Sequence, residues 1–169
     1  NPYVGGDGIL PFVTAARSHG KGVFILAKTS NPTSGEVQNL LVDGQPLYER
    51  LASLIQHWGL GTEGKRGYQA VGAVVGATYP AEATRLRQLM PHTYFLVPGY
   101  GAQGAGAADV QACFAADGYG AIVNSSRAIL YAYRQETYRA LGEECFPEAA
   151  RAAVLAMKEE LAAVLRPLS

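Results

Sequence analysis

The feature that most constrains the fold is a set of four short apolar runs, each rich in β-branched or aromatic residues. They cover residues 22–28, 70–77, 93–98 and 120–125. Near-continuous apolar runs without polar alternation are typical of parallel strands that are buried on both faces. Helical patterns separate successive runs, over residues 46–59, 80–91 and 107–118. Strands that alternate with helices predict βαβ units and one parallel sheet.

Two architectures are compatible with this alternation, an open doubly wound sheet and a (β/α)8 barrel. A complete barrel usually needs about 250 residues, and the 169-residue chain has four candidate strands, so the count alone favours the open sheet. Further helices are predicted over residues 7–20, 126–142 and 147–165. The segments "AKTSNP", "GATYP", "VPGYGAQG" and "VNSSR" place polar or glycine residues just after each strand. Such decorated strand ends are typical of the active-site face of a barrel.

The composition disfavours several kinds of binding partner, namely nucleic acid, membranes and metal clusters. Lys plus Arg and Asp plus Glu number 14 each, so no basic field predicts binding to nucleic acid or to an anionic membrane. No apolar run approaches the roughly 18 residues of a membrane span. Cys113 and Cys145 lie far apart without metal-ligand spacing, which disfavours a metal cluster or a disulfide scaffold. We therefore expect a cytoplasmic protein without a metal.

The loop "VPGYGAQGAG" (97–106) and Arg127 together form a candidate anion site. Backbone N–H groups of a glycine-rich loop and a guanidinium fork are suited to phosphate. The loops after strands 7 and 8 of a barrel commonly bind it. The amide of Gln103 can donate to the same oxygens. A loose turn with a solvated Arg127 is the competing interpretation, because a glycine cluster alone is a weak signal.

Four segments carry a family resemblance, namely "VFILAKTSNPTSGEVQ", "VGAVVGATYP", "MPHTYFLVPGYGAQGAG" and "GAIVNSSRAI". In this order they resemble the orotidine 5′-phosphate decarboxylase family, in particular its longer bacterial branch. The opening "NPYVGGDGILPF" is similar too, so the resemblance runs from residue 1 to about residue 131. It implies a (β/α)8 TIM barrel, usually a homodimer, that converts orotidine monophosphate to uridine monophosphate and carbon dioxide in pyrimidine biosynthesis. It also implies that no metal or organic cofactor takes part.

The resemblance assigns roles to five residues. It implies that Gln103 and Arg127 bind the substrate phosphate, together with the backbone near Ser126. Ser30 is expected to hydrogen-bond the pyrimidine ring, and Pro98 to line the base pocket. Tyr100 is a further candidate for the lid over the substrate.

The sequence departs from the family at its catalytic signature. The family carries an Asp-x-Lys-x-x-Asp motif on strand 3, and this spacing is absent from the 169 residues. Lys28 has no carboxylates at that spacing, so we predict a structural role for it. We therefore expect no catalytic residue in this chain, with the proton-donor lysine and its aspartates located upstream.

Residues 1–169 are accordingly predicted to be the C-terminal part of one TIM-barrel domain, supplying strands 5 to 8. Since the first residue is not methionine and only four strands are present, we expect the N-terminal half elsewhere in the same polypeptide or in a second chain. An isolated half barrel exposes unpaired strand edges, and we expect it to be inactive. Two alternatives remain, a different phosphate-binding barrel lyase or isomerase and a non-catalytic nucleotide-binding module.

Overall fold

The computed structural model of the protein describes residues 1–101 and 104–165. Its helices and strands alternate along most of the chain, as the sequence pattern predicts. In chain order they are α1 (Gly5–Ser18), β1 (Val23–Lys28), α2 (Gly35–Gln38), β2 (Leu41–Val42), β3 (Gln45–Pro46), α3 (Leu47–Trp58), β4 (Val71–Val75), α4 (Pro80–Leu89), β5 (Phe95–Val97), α5 (Ala107–Gln111), β6 (Ala121–Val123), α6 (Arg127–Leu130) and α7 (Phe146–Leu165).

The central element is a four-stranded parallel sheet in the order β1-β4-β5-β6. Ile25 pairs with Ala73, and Leu96 pairs with both Val74 and Ile122. Each of these strands lies within one of the apolar runs, so the prediction of four parallel strands is confirmed. All four carboxyl ends therefore meet at the same edge of the sheet.

The two faces of this sheet differ in burial. Side chains such as Ile25, Ala73 and Phe95 are buried in the core, against helices that include α3 and α4. The opposite face carries Phe24, which is 43% exposed, and Ile122, which is 48% exposed. In the described part of the chain, the second face therefore presents apolar side chains to solvent.

Two predicted helices are shorter in the structure than the sequence pattern indicates. The helix expected over 107–118 ends at Gln111, and the carbonyl oxygen of Cys113 instead accepts hydrogen bonds from the guanidinium of Arg87. The helix expected over 126–142 breaks after Leu130 into short 3-10 turns. There the side-chain amide of Gln135 donates to the carbonyl of Ala128. In both places side-chain hydrogen bonds outside the helical pattern outweigh helix propensity.

A small hairpin, β2 and β3, interrupts the connection between β1 and α3 and was not predicted. Its turn is formed by Asp43 and Gly44, which both have positive φ angles. Asp-Gly is a preferred pair for such a two-residue turn, so the signal was present in the sequence. Within the described ranges, no helix combines the length and the apolar character needed to cross a bilayer.

Candidate functional site

The candidate site lies at the edge where the carboxyl ends of the four parallel strands meet. Four short segments leave the strands there, at residues 29–32, 76–79, 98–101 and 124–127. Parallel α/β sheets bind ligands at this edge because the loops after neighbouring strands converge. The predicted residues Ser30, Pro98, Ser126 and Arg127 all belong to these segments.

Ser30 and Arg127 line one cavity of about 390 Å³, together with Asn31, Thr78 and Tyr79. The hydroxyl of Thr78 donates to the carbonyl oxygen of Ser30 at 3.1 Å. The hydroxyl of Tyr79 donates to the carbonyl oxygen of Asn31 at 3.3 Å. The segment after β4 therefore holds the segment after β1, and it fixes Ser30 in the lining of the cavity that Arg127 also lines.

Pro98, Ser126 and Arg127 line a neighbouring cavity of about 220 Å³. The hydroxyl of Ser125 donates to the carbonyl oxygen of Tyr100 at 3.0 Å, which ties the loop after β5 to the loop after β6. Arg127 is exposed and lines both cavities. A ligand whose anionic group binds the guanidinium of Arg127 can therefore extend toward Ser30 in one cavity or toward Pro98 in the other.

Gly76 sets the position of Ser30 through close packing. A Cβ atom at residue 76 would lie only 2.7 Å from the Cα atom of Ser30. The backbone N–H of Gly76 also donates to the carbonyl oxygen of Lys28 at 2.8 Å. A glycine is required here because the two backbones approach more closely than any side chain permits.

Lys28 is buried directly beneath the Ser30 segment. Its ammonium group donates to the side-chain oxygen of Asn39 at 2.6 Å and lies 3.1 Å from Glu82 Oε2. The same nitrogen lies 4.8 Å from the centre of the Tyr79 ring, within the range of a cation–π contact. Lys28 is 1% exposed and does not line either cavity. Its contacts link β1 to α4 and fit the structural role that was predicted for it.

Two site residues stand apart from the predictions. Gln103, the predicted phosphate ligand of the loop after β5, lies outside the described residues. Asn124 was not singled out by the sequence reasoning, yet it lines the cavity of Pro98 and Arg127. Its buried Oδ1 atom has no hydrogen-bond partner among the described residues. The available signal was its place directly after β6, the first polar residue of "NSSR".

The chain is similar to several known proteins. A family model described as "Orotidine 5'-phosphate decarboxylase / HUMPS family" matches residues 1–141. The orotidine 5'-phosphate decarboxylase of Rhodopirellula baltica is 45% identical over 162 residues, which cover 95% of this chain and 54% of that relative. The corresponding protein of Caldicellulosiruptor bescii is 48% identical over 134 residues, which cover 79% of this chain and 44% of that relative.

A solved structure of Leishmania donovani OMP decarboxylase superimposes with a TM-score of 0.70 at 33% identity, over 97% of this chain and 54% of that chain. The chain thus spans about half the length of the relatives it matches. The four-stranded parallel sheet is part of an α/β barrel, so the barrel is confirmed over the open doubly wound sheet. Because the family model covers well over half of its residues, the chain belongs to the orotidine 5'-phosphate decarboxylase / HUMPS family.

Proposed function

We propose that the complete protein is an orotidine 5′-phosphate decarboxylase, which converts orotidine monophosphate to uridine monophosphate and carbon dioxide. The observation that carries the proposal is the convergence of Ser30 and Arg127 on one cavity at the carboxyl edge of the sheet. A phosphorylated pyrimidine nucleoside needs a cation at one end and a polar group for the base at the other. Membership of the family supports this choice of reaction.

Each residue of the site has a role in this proposal. Arg127 binds the phosphate with its guanidinium, with the backbone near Ser126 and the amide of Gln103 as further donors. Ser30 hydrogen-bonds the pyrimidine ring, and Pro98 packs beside it. Binding of the remote phosphate orients the ring for reaction, and part of that binding energy lowers the barrier of the chemical step. Arg127 is therefore expected to affect rate as well as affinity.

The groups that perform the chemistry belong, in this proposal, to the other half of the barrel. The Asp-x-Lys-x-x-Asp motif does not occur in the 169 residues. Lys28 is a poor substitute, because its ammonium is buried against Glu82 and Asn39. The chain would thus bind and orient the nucleotide, while a lysine and carboxylates from the complementary half protonate the carbon that loses carbon dioxide.

The two edges of the sheet support this division of residues 1–169 as one half of a single barrel domain. Strands β1 and β6 are each paired on one side in the described structure. An apolar groove of about 330 Å³ runs along β1 and is lined by residues that include Val4, Phe12 and Phe24. Unpaired edges next to exposed apolar side chains favour pairing with further strands. We propose that the complementary half-barrel covers this groove and pairs with both edges.

Assembly and location follow from the same proposal. We expect the complete barrel to form a homodimer, which light scattering on the purified protein can test, and family membership is what supports this. A cytoplasmic location is supported by two free thiols, Cys113 and Cys145, because reducing compartments keep thiols unpaired.

The proposed reaction is tested by assaying orotidine monophosphate decarboxylation with the complete gene product and with residues 1–169 alone. We expect uridine monophosphate and carbon dioxide from the complete product and no turnover from residues 1–169. Binding of uridine monophosphate without turnover by the complete product would instead indicate a nucleotide-binding module. Turnover of a sugar phosphate but not of orotidine monophosphate would indicate a different barrel lyase or isomerase.

A further inference from the structure

The C-terminal helix α7 lies beyond residues 1–141, the part of the chain that the family model matches. It nevertheless packs against α5 and α6, which follow the loops after β5 and β6. Met157 and Leu161 of this helix pack on the edge of the hydrophobic core. An element beyond the range of the family model thus packs against the helices that follow the two loops proposed to bind phosphate.

One polar contact joins this helix directly to the loop after β5. The hydroxyl of Tyr100 donates a hydrogen bond to the Oε2 atom of Glu160. Tyr100 is 7% exposed, and it shares a cavity of about 180 Å³ with Glu160 and Ser125. Burial, followed by the hydrogen bond to Glu160, raises the pKa of Tyr100, which keeps its hydroxyl protonated as a donor. A charged acceptor makes this hydrogen bond stronger than a neutral pair.

Tyr100 is held at its backbone as well as at its hydroxyl. Its carbonyl oxygen accepts the hydroxyl hydrogen bond of Ser125, in the segment that leads to Arg127. A second contact, from the side-chain amide of Gln111 to the carbonyl oxygen of Val164 at 2.9 Å, ties α5 to the end of α7. The helix thus contacts the chain on both sides of the glycine-rich segment between Gly101 and Gly106.

The contact with α7 matters for binding because the loop after β5 is rich in glycine. Gly101 and Gly104 have φ angles of +74° and +90°, so the backbone there has conformations that other residues rarely adopt. A glycine-rich loop has many alternative conformations in the absence of contacts, and ordering it on binding costs free energy. A side chain that orders the loop beforehand therefore improves affinity for the ligand that the loop binds.

We propose that Glu160 is a positioning residue for phosphate binding, because through the hydroxyl of Tyr100 it holds the start of the glycine-rich loop, which lines the same cavity as Arg127. The inference rests on the proposed function for the identity of the ligand, a nucleoside monophosphate. Its effect falls on binding, since a loop that becomes ordered after the ligand enters still makes the same contacts in the transition state. Loss of the anchor thus raises KM and leaves kcat in place.

The test compares Glu160→Ala with Glu159→Ala in the complete gene product. Glu159 is exposed on the same helix, so its replacement removes the same charge and tests for a general effect of the change. For Glu160→Ala we expect the Kd for uridine monophosphate and the KM for orotidine monophosphate to rise together by about fivefold to tenfold. Glu159→Ala is expected to leave both constants unchanged, and the melting temperature of each variant shows whether it is folded under the conditions of the assay.

Two further variants keep the result decisive if Glu160→Ala is poorly folded. Tyr100→Phe removes only the donating hydroxyl and is expected to raise the same two constants. Glu160→Gln keeps a neutral acceptor and is expected to fall between wild type and Glu160→Ala. Equal constants for Tyr100→Phe and wild type would overturn the proposal, and so would a fall in kcat alone.

The readouts separate this proposal from the proposed function. Because the Kd for uridine monophosphate is measured without turnover, the role of Glu160 is tested even if the protein does not decarboxylate its ligand. Decarboxylation by wild type with an unchanged Kd in Glu160→Ala would overturn the positioning role and leave the function intact. Absence of uridine monophosphate binding by wild type would overturn the role of Glu160 as well.

Discussion

The ammonium nitrogen of Lys28 lies 3.1 Å from the Oε2 atom of Glu82, with side-chain exposures of 1% and 21%. This pair joins the last residue of β1 to the first turn of α4, and Lys28 directly precedes the segment that carries Ser30. Glu82 Oε2 is buried and has no hydrogen-bond donor among the described residues, so the Lys28 charge is its compensation. The pair therefore stabilises the junction of β1 and α4 next to the candidate site.

Lys28→Met is expected to lower the free energy of unfolding by about 2 kcal/mol or more, because it leaves the Glu82 carboxylate partly buried without its cation. The double variant Lys28→Met with Glu82→Gln is expected to recover part of the loss. Lys21→Met, at an exposed lysine before β1, is the matched control and is expected to be near neutral. Urea denaturation of the complete gene product measures the free energy of unfolding of all three variants. Equal losses of stability for Lys28→Met and Lys21→Met would contradict a stabilising role for the Lys28–Glu82 pair.

Gly76→Ala is expected to displace the segment that carries Ser30. Its new Cβ would stand 2.7 Å from the Cα atom of Ser30, so one backbone must move. Overpacking of this kind costs about 1–3 kcal/mol of stability, and we expect kcat/KM to fall by about tenfold or more through misplacement of Ser30. Steady-state kinetics and thermal unfolding are the measurements.

Gly64→Ala is the control for that experiment. A Cβ atom at residue 64 would have ordinary van der Waals contact, with the carbonyl oxygen of Tyr68 at 3.7 Å. Gly64→Ala is therefore expected to leave kcat/KM unchanged. Wild-type kinetics for Gly76→Ala would show that the Ser30 segment tolerates movement and would remove Gly76 from the site.

Arg127→Ala tests the cation that lines both cavities. We expect kcat/KM for orotidine monophosphate to fall by about two orders of magnitude or more, roughly 3 kcal/mol, because a charge-assisted contact to phosphate is lost. Arg139→Ala, at an exposed arginine that lines neither cavity, is the control. An unchanged kcat/KM would exclude Arg127 from phosphate binding.

The sheet and the location of the site could be predicted because their signals are local. Each strand of the sheet is one apolar run, and each site segment directly follows such a run. The sequence therefore predicts that Ser30 and Arg127 lie at one edge of the sheet, and the structure places both there, on a shared cavity that the sequence alone did not indicate. The missed residue Asn124 carries the same local signal, since it directly follows β6.

The contacts between distant positions could not be predicted in this way. Tyr100 and Glu160 are 60 positions apart, and nothing near either residue indicates that they meet. Arg87 donates to the carbonyl oxygens of Cys113 and Gly120, two later segments of the chain. Burial lowers its pKa to about 10, yet the guanidinium remains charged at neutral pH. The carbonyl oxygen of Cys113 lies within the helix predicted over 107–118, so the hydrogen bond from Arg87 competes there with a helical partner.

Glu49 on α3 accepts two hydrogen bonds from Arg85 on α4, at 3.0 and 3.1 Å. The hydrogen bond from Arg85 holds the pKa of Glu49 below its ordinary value of 4.5. Since the folded value is lower than the unfolded one, the unfolded chain binds more protons in this range. The stabilisation by Glu49 is therefore complete above pH 4.5 and is lost as the pH falls through the folded value.

Glu49→Gln is accordingly expected to be less stable than wild type at neutral pH, and the difference is expected to shrink as the pH falls from 4.5 through the lowered pKa of the folded protein. Urea denaturation at a series of pH values measures the difference directly. Glu36→Gln, at an exposed carboxylate on α2, serves as the control for a change of charge alone. A difference between wild type and Glu49→Gln that stays constant across the series would show that the ionised carboxylate does not stabilise the fold, because only an ionised partner loses its contribution on protonation.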